Sequence, residues 1–111
     1  RQRIVETPVG SRVIRRELLA HMVEKRNDAR ERFASYVLPT LQQPFEIWLK
    51  QHEDGKLREN YIGLFREGKY SLLVVVRMNR DGSLIWNMMN RKDKDMDRLR
   101  EGLLVWSKKE S

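Results

Sequence analysis

At 111 residues the chain can build one hydrophobic core and not two, so a single small domain is expected over 1–111. No cysteine and only two histidines are present, which removes disulfides, thiolate metal sites and a cysteine nucleophile; no metal and no cofactor are expected. Lys and Arg number 23 against 16 acids, a formal +7, and a field of that sign draws polyanions, so nucleic acid is the leading class of partner. No run approaches the length of a membrane span, so no membrane partner is expected. The opening Arg1-Gln2-Arg3 is neither a signal peptide nor a natural start, and the chain reads as a domain cut from a larger protein.

The basic excess lies at the front: residues 1–40 hold nine Arg and Lys against five acids, and residues 41–89 hold seven against six. Ile4 and Val5 suggest a short strand before a Pro8-Val9-Gly10 turn. Ser11 reads as the N-cap of a helix in which Ile14, Leu18 and Met22 recur at helical spacing, with His21 at the border of the buried stripe and Arg15 and Arg16 in water. Asp28 with Glu31 has the form of a capping box for a second helix, whose inward face is Phe33, Tyr36 and Val37. Leu38-Pro39 is expected to end it, because proline restricts the residue before it and cannot donate to the preceding turn.

Residues 44–89 read as a four-stranded antiparallel meander. Its segments are Phe45 to Gln51, Leu57 to Arg66, Tyr70 to Met78 and Ser83 to Met89, separated by Asp54-Gly55, Glu67-Gly68 and Asp81-Gly82. Alternation puts Phe45, Ile47 and Leu49 on one face of the first strand and Glu46, Trp48 and Lys50 on the other. Leu72 to Val76 is apolar on both faces and is expected to be the central strand. The charge-dense Asn90 to Arg100 reads as a loop running into a short helical turn, and Leu103 to Trp106 as a fifth strand. The class is therefore α+β: two N-terminal helices packed on one face of a four- to five-stranded antiparallel sheet.

No Walker loop, dinucleotide-binding glycine motif, His-Glu-x-x-His helix or nucleophile elbow occurs. What remains is the border histidine His21, a polar and aromatic sheet face, and the arginine-rich connector. These are the parts needed for metal-independent RNA cleavage: an imidazole to move protons near neutral pH and guanidinium groups to hold phosphate. Each part also has a simpler reading. A lone histidine beside an apolar stripe packs, Trp48 and Tyr61 belong to a core, and Glu46 with Lys50 is a surface ion pair. His52, beside the Asp54-Gly55 turn, reads as exposed and incidental.

Several stretches together carry a resemblance. Glu6-Thr7-Pro8-Val9-Gly10, the helix bearing His21, Leu38-Pro39, Pro44-Phe45-Glu46-Ile47-Trp48-Leu49, Leu72 to Val76, Ile85-Trp86 and Arg98-x-Arg100-x-Gly102-x-Leu104-Val105-Trp106 run in one order over almost the whole chain. In that order they resemble the phage-associated nuclease-like domains of the barnase/EndoU/colicin/RelE superfamily, found at the C-termini of Mu-type phage head-morphogenesis proteins and of bacterial toxins. The resemblance implies helices on one sheet face with the active site on the other, and RNA cleavage without metal that leaves a 2′,3′-cyclic phosphate, tRNA being a frequent target. It implies His21 as general acid or base, Arg98 and Arg100 as phosphate clamps, and Tyr61 and Asn87 as orienting donors. Trp48 and Glu46 would sit at the substrate, with Arg15, Arg16, Arg91 and Lys92 as further RNA contacts. A monomeric toxin domain of this kind would be secreted or delivered within a larger protein, act in the cytoplasm of a target bacterium, and be neutralised by an acidic immunity protein. Many relatives carry basic residues where this chain has Asn60 and Gly63, and a threonine where it has Asn87. That departure favours the rival expectation of a non-catalytic nucleic-acid-binding or phage head-assembly module; a third is a protein-binding basic face.

Overall fold

The computed structural model describes residues 2–15 and 28–110. In chain order its elements are β1 (Gln2–Thr7), β2 (Gly10–Arg15), α1 (Ala29–Arg32), a π-helical turn (Phe33–Val37), α2 (Leu38–Gln42), β3 (Glu46–Gln51), β4 (Leu57–Glu67), β5 (Tyr70–Met78), β6 (Leu84–Asn90), α3 (Asp93–Leu99), β7 (Leu103–Ser107) and a closing 3-10 turn (Lys108–Glu110).

The meander forms as its alternation requires. Strands β3 to β6 pair neighbour with neighbour, all antiparallel, and Gly55, Gly68 and Gly82 at the reversals have φ of 80°, 60° and 90°. β7 adds to the free side of β3, giving the order β6-β5-β4-β3-β7. The middle strand is therefore β4, not the Leu72 to Val76 run expected there. β5 is nonetheless interior and covered on both faces: Leu73, Val74 and Val76 are wholly buried and Val75 is 4% exposed.

The front of the chain departs from the sequence reading. Residues 10–15 are not a helix but the second arm of a hairpin, paired from Gln2↔Arg15 to Thr7↔Gly10. Ser11, expected as a cap, instead donates its hydroxyl to the Glu6 carboxylate at 2.7 Å. Period two prevails because a strand partner lies three to thirteen residues upstream and the inward set of the hairpin, Val5 and Ile14, reaches the core at 2% and 1% exposure. The remainder of that expected helix, with Arg16, Leu18, His21 and Met22, lies outside the described residues. The fold is thus α+β with a five-stranded sheet and a separate two-stranded hairpin.

The second helix begins after Asp28 as expected, its carboxylate taken by Arg32 at 2.6 Å. It does not stop at Leu38-Pro39. The N–H of Leu38 reaches back five residues to the Phe33 carbonyl, and the Gln43 N–H bonds the Pro39 carbonyl at 2.7 Å. A π turn widens the backbone one residue before the proline, where an α turn would press the pyrrolidine ring on the carbonyl four residues back. The helix continues, and Val37, Leu38, Thr40 and Leu41 are buried against the sheet.

That face of the sheet, with Ile47, Tyr61, Val74, Val76 and Leu84, is covered by the helix and the hairpin. The helix approaches so closely that a Cβ at Gly63 would lie 2.2 Å from Thr40 Oγ1. The hairpin is fastened by Arg12, whose Nε and Nη2 donate to the two oxygens of Glu59 at 2.8 and 2.7 Å, while the Tyr61 hydroxyl donates to Glu59 Oε1 at 2.8 Å. Burial raises the Glu59 pKa, but the Arg12 and Tyr61 hydrogen bonds outweigh it and hold the carboxyl below its ordinary value.

Two outcomes follow from this packing. Gly63→Ala, measured by urea denaturation, should destabilise the domain by about 1–3 kcal/mol, the usual cost of overpacking. For Glu59 the unfolded chain binds the proton more readily, so its stabilisation is present above the ordinary glutamate pKa and is lost as pH falls through the lower folded value. The acid limb of a stability-against-pH curve should flatten in Glu59→Gln.

Candidate active site on the open sheet face

The other face of the sheet is divided. Strand register puts Glu46, Ile62, Val75 and Asn87 in one row across it, and Trp48, Asn60, Arg77 and Ile85 in the next. Lys50 and Arg58 form a third row toward the β3–β4 turn. Among the described residues α3 lies over the apolar part, with Met96 at 3% exposure packed among Ile62, Leu73 and Val75, and with Trp48, Leu64, Met89 and Leu99 around them. The polar rows are left open only toward β5 and β6, where Arg77 is exposed and Ile85 is 51% exposed; Trp48 and Arg58 are half-buried and Asn60 is buried.

Glu46 ties α3 and β7 to this face. Its side chain is 9% exposed, and it accepts from Arg100 Nε and Nη2 at 2.9 and 3.0 Å and from the Trp48 indole N–H at 3.1 Å. The carboxylate in turn raises the Arg100 pKa. Gly102 follows with φ 95°, and a Cβ there would come 2.3 Å from the Leu49 carbonyl oxygen. The two most distinctive stretches of the sequence, Pro-Phe-Glu-Ile-Trp-Leu and Arg-x-Arg-x-Gly, are therefore two halves of one contact. Lys50 does not pair with Glu46 but with Glu101, Nζ to Oε2 at 2.5 Å.

Beyond Lys50 the alternation of β3 carries His52 onto the same face. It is half-buried, and its Nε2 is inaccessible and without a hydrogen-bond partner. Burial lowers its pKa first, followed by the charges of Arg58, Lys50 and Arg77, with Asp54 opposing weakly. Arg58 is held by Asp54 at 2.8 Å and by Asn79. Arg77 has no side-chain hydrogen bond or ion pair among the described residues. Asn60, 4% exposed in the row beside it, has an Oδ1 with no partner among the described residues.

The structure brings together Glu46, Trp48 and Arg100 as one unit. It separates others. Tyr61 lies wholly buried on the opposite, helix-covered face, because an odd-numbered β4 residue cannot share a side with Glu46 and Asn87. Asn87 is on the open face but three strands from Glu46, with β4 and β5 between them. Arg91, Lys92 and Arg98 are exposed at the start and on the outer side of α3. Arg15 is at the end of β2, where its N–H bonds the Gly82 carbonyl at 2.9 Å. His21 and Arg16 lie outside the described residues. Gly63 is no lost basic position on the open face, since it faces Thr40 under the helix. His52, Arg58 and Arg77 were passed over in the sequence reading, although carrying the alternation of β3 two residues past Lys50 would have placed His52 here. Among the described residues no cluster of His, Cys, Asp and Glu could hold a metal ion.

The five-stranded antiparallel sheet is thus backed by a helix on one side and carries basic and aromatic side chains on part of the other. Residues 1–107 match the model of the family described as phage-Barnase-EndoU-ColicinE5/D-RelE like nuclease2, and the chain belongs to that family of nuclease-like domains. No curated protein and no solved structure matches it.

If Glu46 and Arg100 act as one unit, their single substitutions should not add. Glu46→Gln and Arg100→Gln should each lose about 1–3 kcal/mol by urea denaturation, and the double variant should lose less than their sum by about 1 kcal/mol or more.

Proposed function

We propose that this domain is a metal-independent endoribonuclease acting on the open face of its sheet. The observation that carries the reading is that the part of that face beyond α3 bears Lys50, Arg58 and Arg77, with Trp48 at its border, where the part under α3 is apolar. In the proposed reaction a base removes the ribose 2′-hydroxyl proton, the 2′-oxygen attacks phosphorus, and the 5′-oxygen leaves with a proton from an acid. The products are a 2′,3′-cyclic phosphate and a 5′-hydroxyl.

Roles are assigned on placement and chemistry. Arg77 has no ion-pair partner among the described residues on this face and would hold a non-bridging phosphate oxygen. Trp48, its indole N–H fixed by Glu46, would stack a base, an interaction of about 1–3 kcal/mol. His21 is retained as acid or base, and Asn87, Arg98, Arg91 and Lys92 as outer contacts to RNA. Arg100 serves by holding Glu46 and only its exposed edge is left for phosphate. Tyr61, enclosed on the other face, has no part. In a toxin the substrate would be tRNA, the site of action the cytoplasm of a target bacterium, and the neutralising partner an acidic immunity protein covering the basic face.

The rival reading, a nucleic-acid-binding or phage head-assembly module without catalysis, loses part of its support because Gly63 is a packing position. Incubation of the domain with total tRNA in excess EDTA decides between them. Fragments ending in 2′,3′-cyclic phosphate are expected, with Arg77→Gln slower by about 10²-fold, the scale of losing one transition-state donor, and His21→Ala inactive. RNA binding with a steep salt dependence and no products at any protein concentration would overturn the nuclease and select the rival.

A further inference from the structure

We infer that His52 is a phosphodiester contact at the turn end of the open face, taking up a proton from solvent as the phosphate binds and setting the imidazolium charge against a non-bridging oxygen. The inference rests on the proposal that RNA lies across this face, but not on the cleavage chemistry.

Three observations meet at this imidazole. Its Nε2 is enclosed and has no hydrogen-bond partner among the described residues, so nothing in the fold offsets a positive charge at that atom. The charges acting on it are Lys50 from β3, Arg58 from β4, Arg77 from β5 and Asp54 from the turn, and Lys50, Asp54 and Arg58 line the same depression. Of these only Asp54 could accept a hydrogen bond, and its carboxylate is engaged by Arg58 and by the Lys56 N–H. The imidazole lines an open depression of about 620 Å³ together with Lys50, Gln51, Glu53, Asp54 and Arg58, and an anion seated there meets His52, Lys50 and Arg58 at once.

The positive surroundings define the ligand. They oppose protonation of a free imidazole and would welcome an anion, and the anion in turn would favour the imidazolium. Binding and protonation are therefore linked, each strengthening the other by the same factor. A neutral ligand would have no such effect. Lys50 and Arg58 are already paired with Glu101 and Asp54, but partly exposed pairs of this kind are weak and can exchange for phosphate.

Histidine-ring NMR of the full chain tests this with an all-2′-deoxy oligonucleotide, which lacks the 2′-hydroxyl and cannot be cleaved by the proposed route. His52 is assigned from the resonance missing in His52→Gln. In the free protein it should titrate below the ordinary histidine value, and a saturating oligonucleotide should raise that midpoint by about one pH unit. Oligonucleotide affinity should correspondingly rise up to about tenfold on acidification through this range, and His52→Gln should remove the rise. An unmoved His52 midpoint at saturation overturns the inference, as does a pH dependence that survives in His52→Gln. A response to inorganic phosphate alone, with none to the oligonucleotide, overturns the phosphodiester assignment. The two proposals fail separately: tRNA left intact while His52 responds removes the nuclease, and cleaved tRNA with an unresponsive His52 removes this contact.

Discussion

A nearly enclosed carboxylate at the start of β3 sets the layout of this domain. Removing the charge of Glu46 from water is costly unless its oxygens are filled, and three donors fill them, two from Arg100 and one from Trp48. Arg100 can reach it only if the chain leaving β6 crosses the sheet and returns at β3. The crossing segment is α3, and the returning one is β7, laid against the free edge of β3. Gly102 permits the close passage over Leu49 that this return demands.

The same crossing decides which part of the face remains open. α3 is seven residues long and carries few apolar side chains, so it can cover Ile62, Leu73 and Val75 but not the rows beyond. Those rows are polar. Trp48 stands on the boundary, packed on one side by the apolar cluster and oriented by Glu46, which makes it the hinge between the structural half of the face and the half available to a ligand. The opposite face has no such division: the helix, the hairpin and the Arg12–Glu59–Tyr61 network close it.

Much of this was legible in the residues, and the failures have specific causes. Meander boundaries were visible because glycine at each reversal interrupts a period-two pattern. The hairpin at the front was hidden because Ile14, Leu18 and Met22 also satisfy helical spacing, and Ser11 is equally able to cap a helix or to bond Glu6. Whether Ile14 faces the core from a strand or a helix depends on the pairing of residues 2–7, which is not a property of residues 10–15. The helix running through Pro39 was hidden for a similar reason. Proline excludes an α turn before it but tolerates a π turn, and only burial of Val37, Leu38 and Leu41 makes that rarer turn worthwhile.

The sequence by itself determined the α+β class, the meander strands and their faces, and a net positive charge, because alternation and turn chemistry act over a few residues and charge adds regardless of arrangement. Membership of the nuclease-like family follows from the same linear pattern. Only the tertiary structure decided that Glu46 takes Arg100 instead of Lys50, that Tyr61 is sealed on the far side, and that His52 shares a face with Arg58 and Arg77. Those outcomes depend on strand register and on how far α3 reaches, and both are settled by burial between residues distant in the chain.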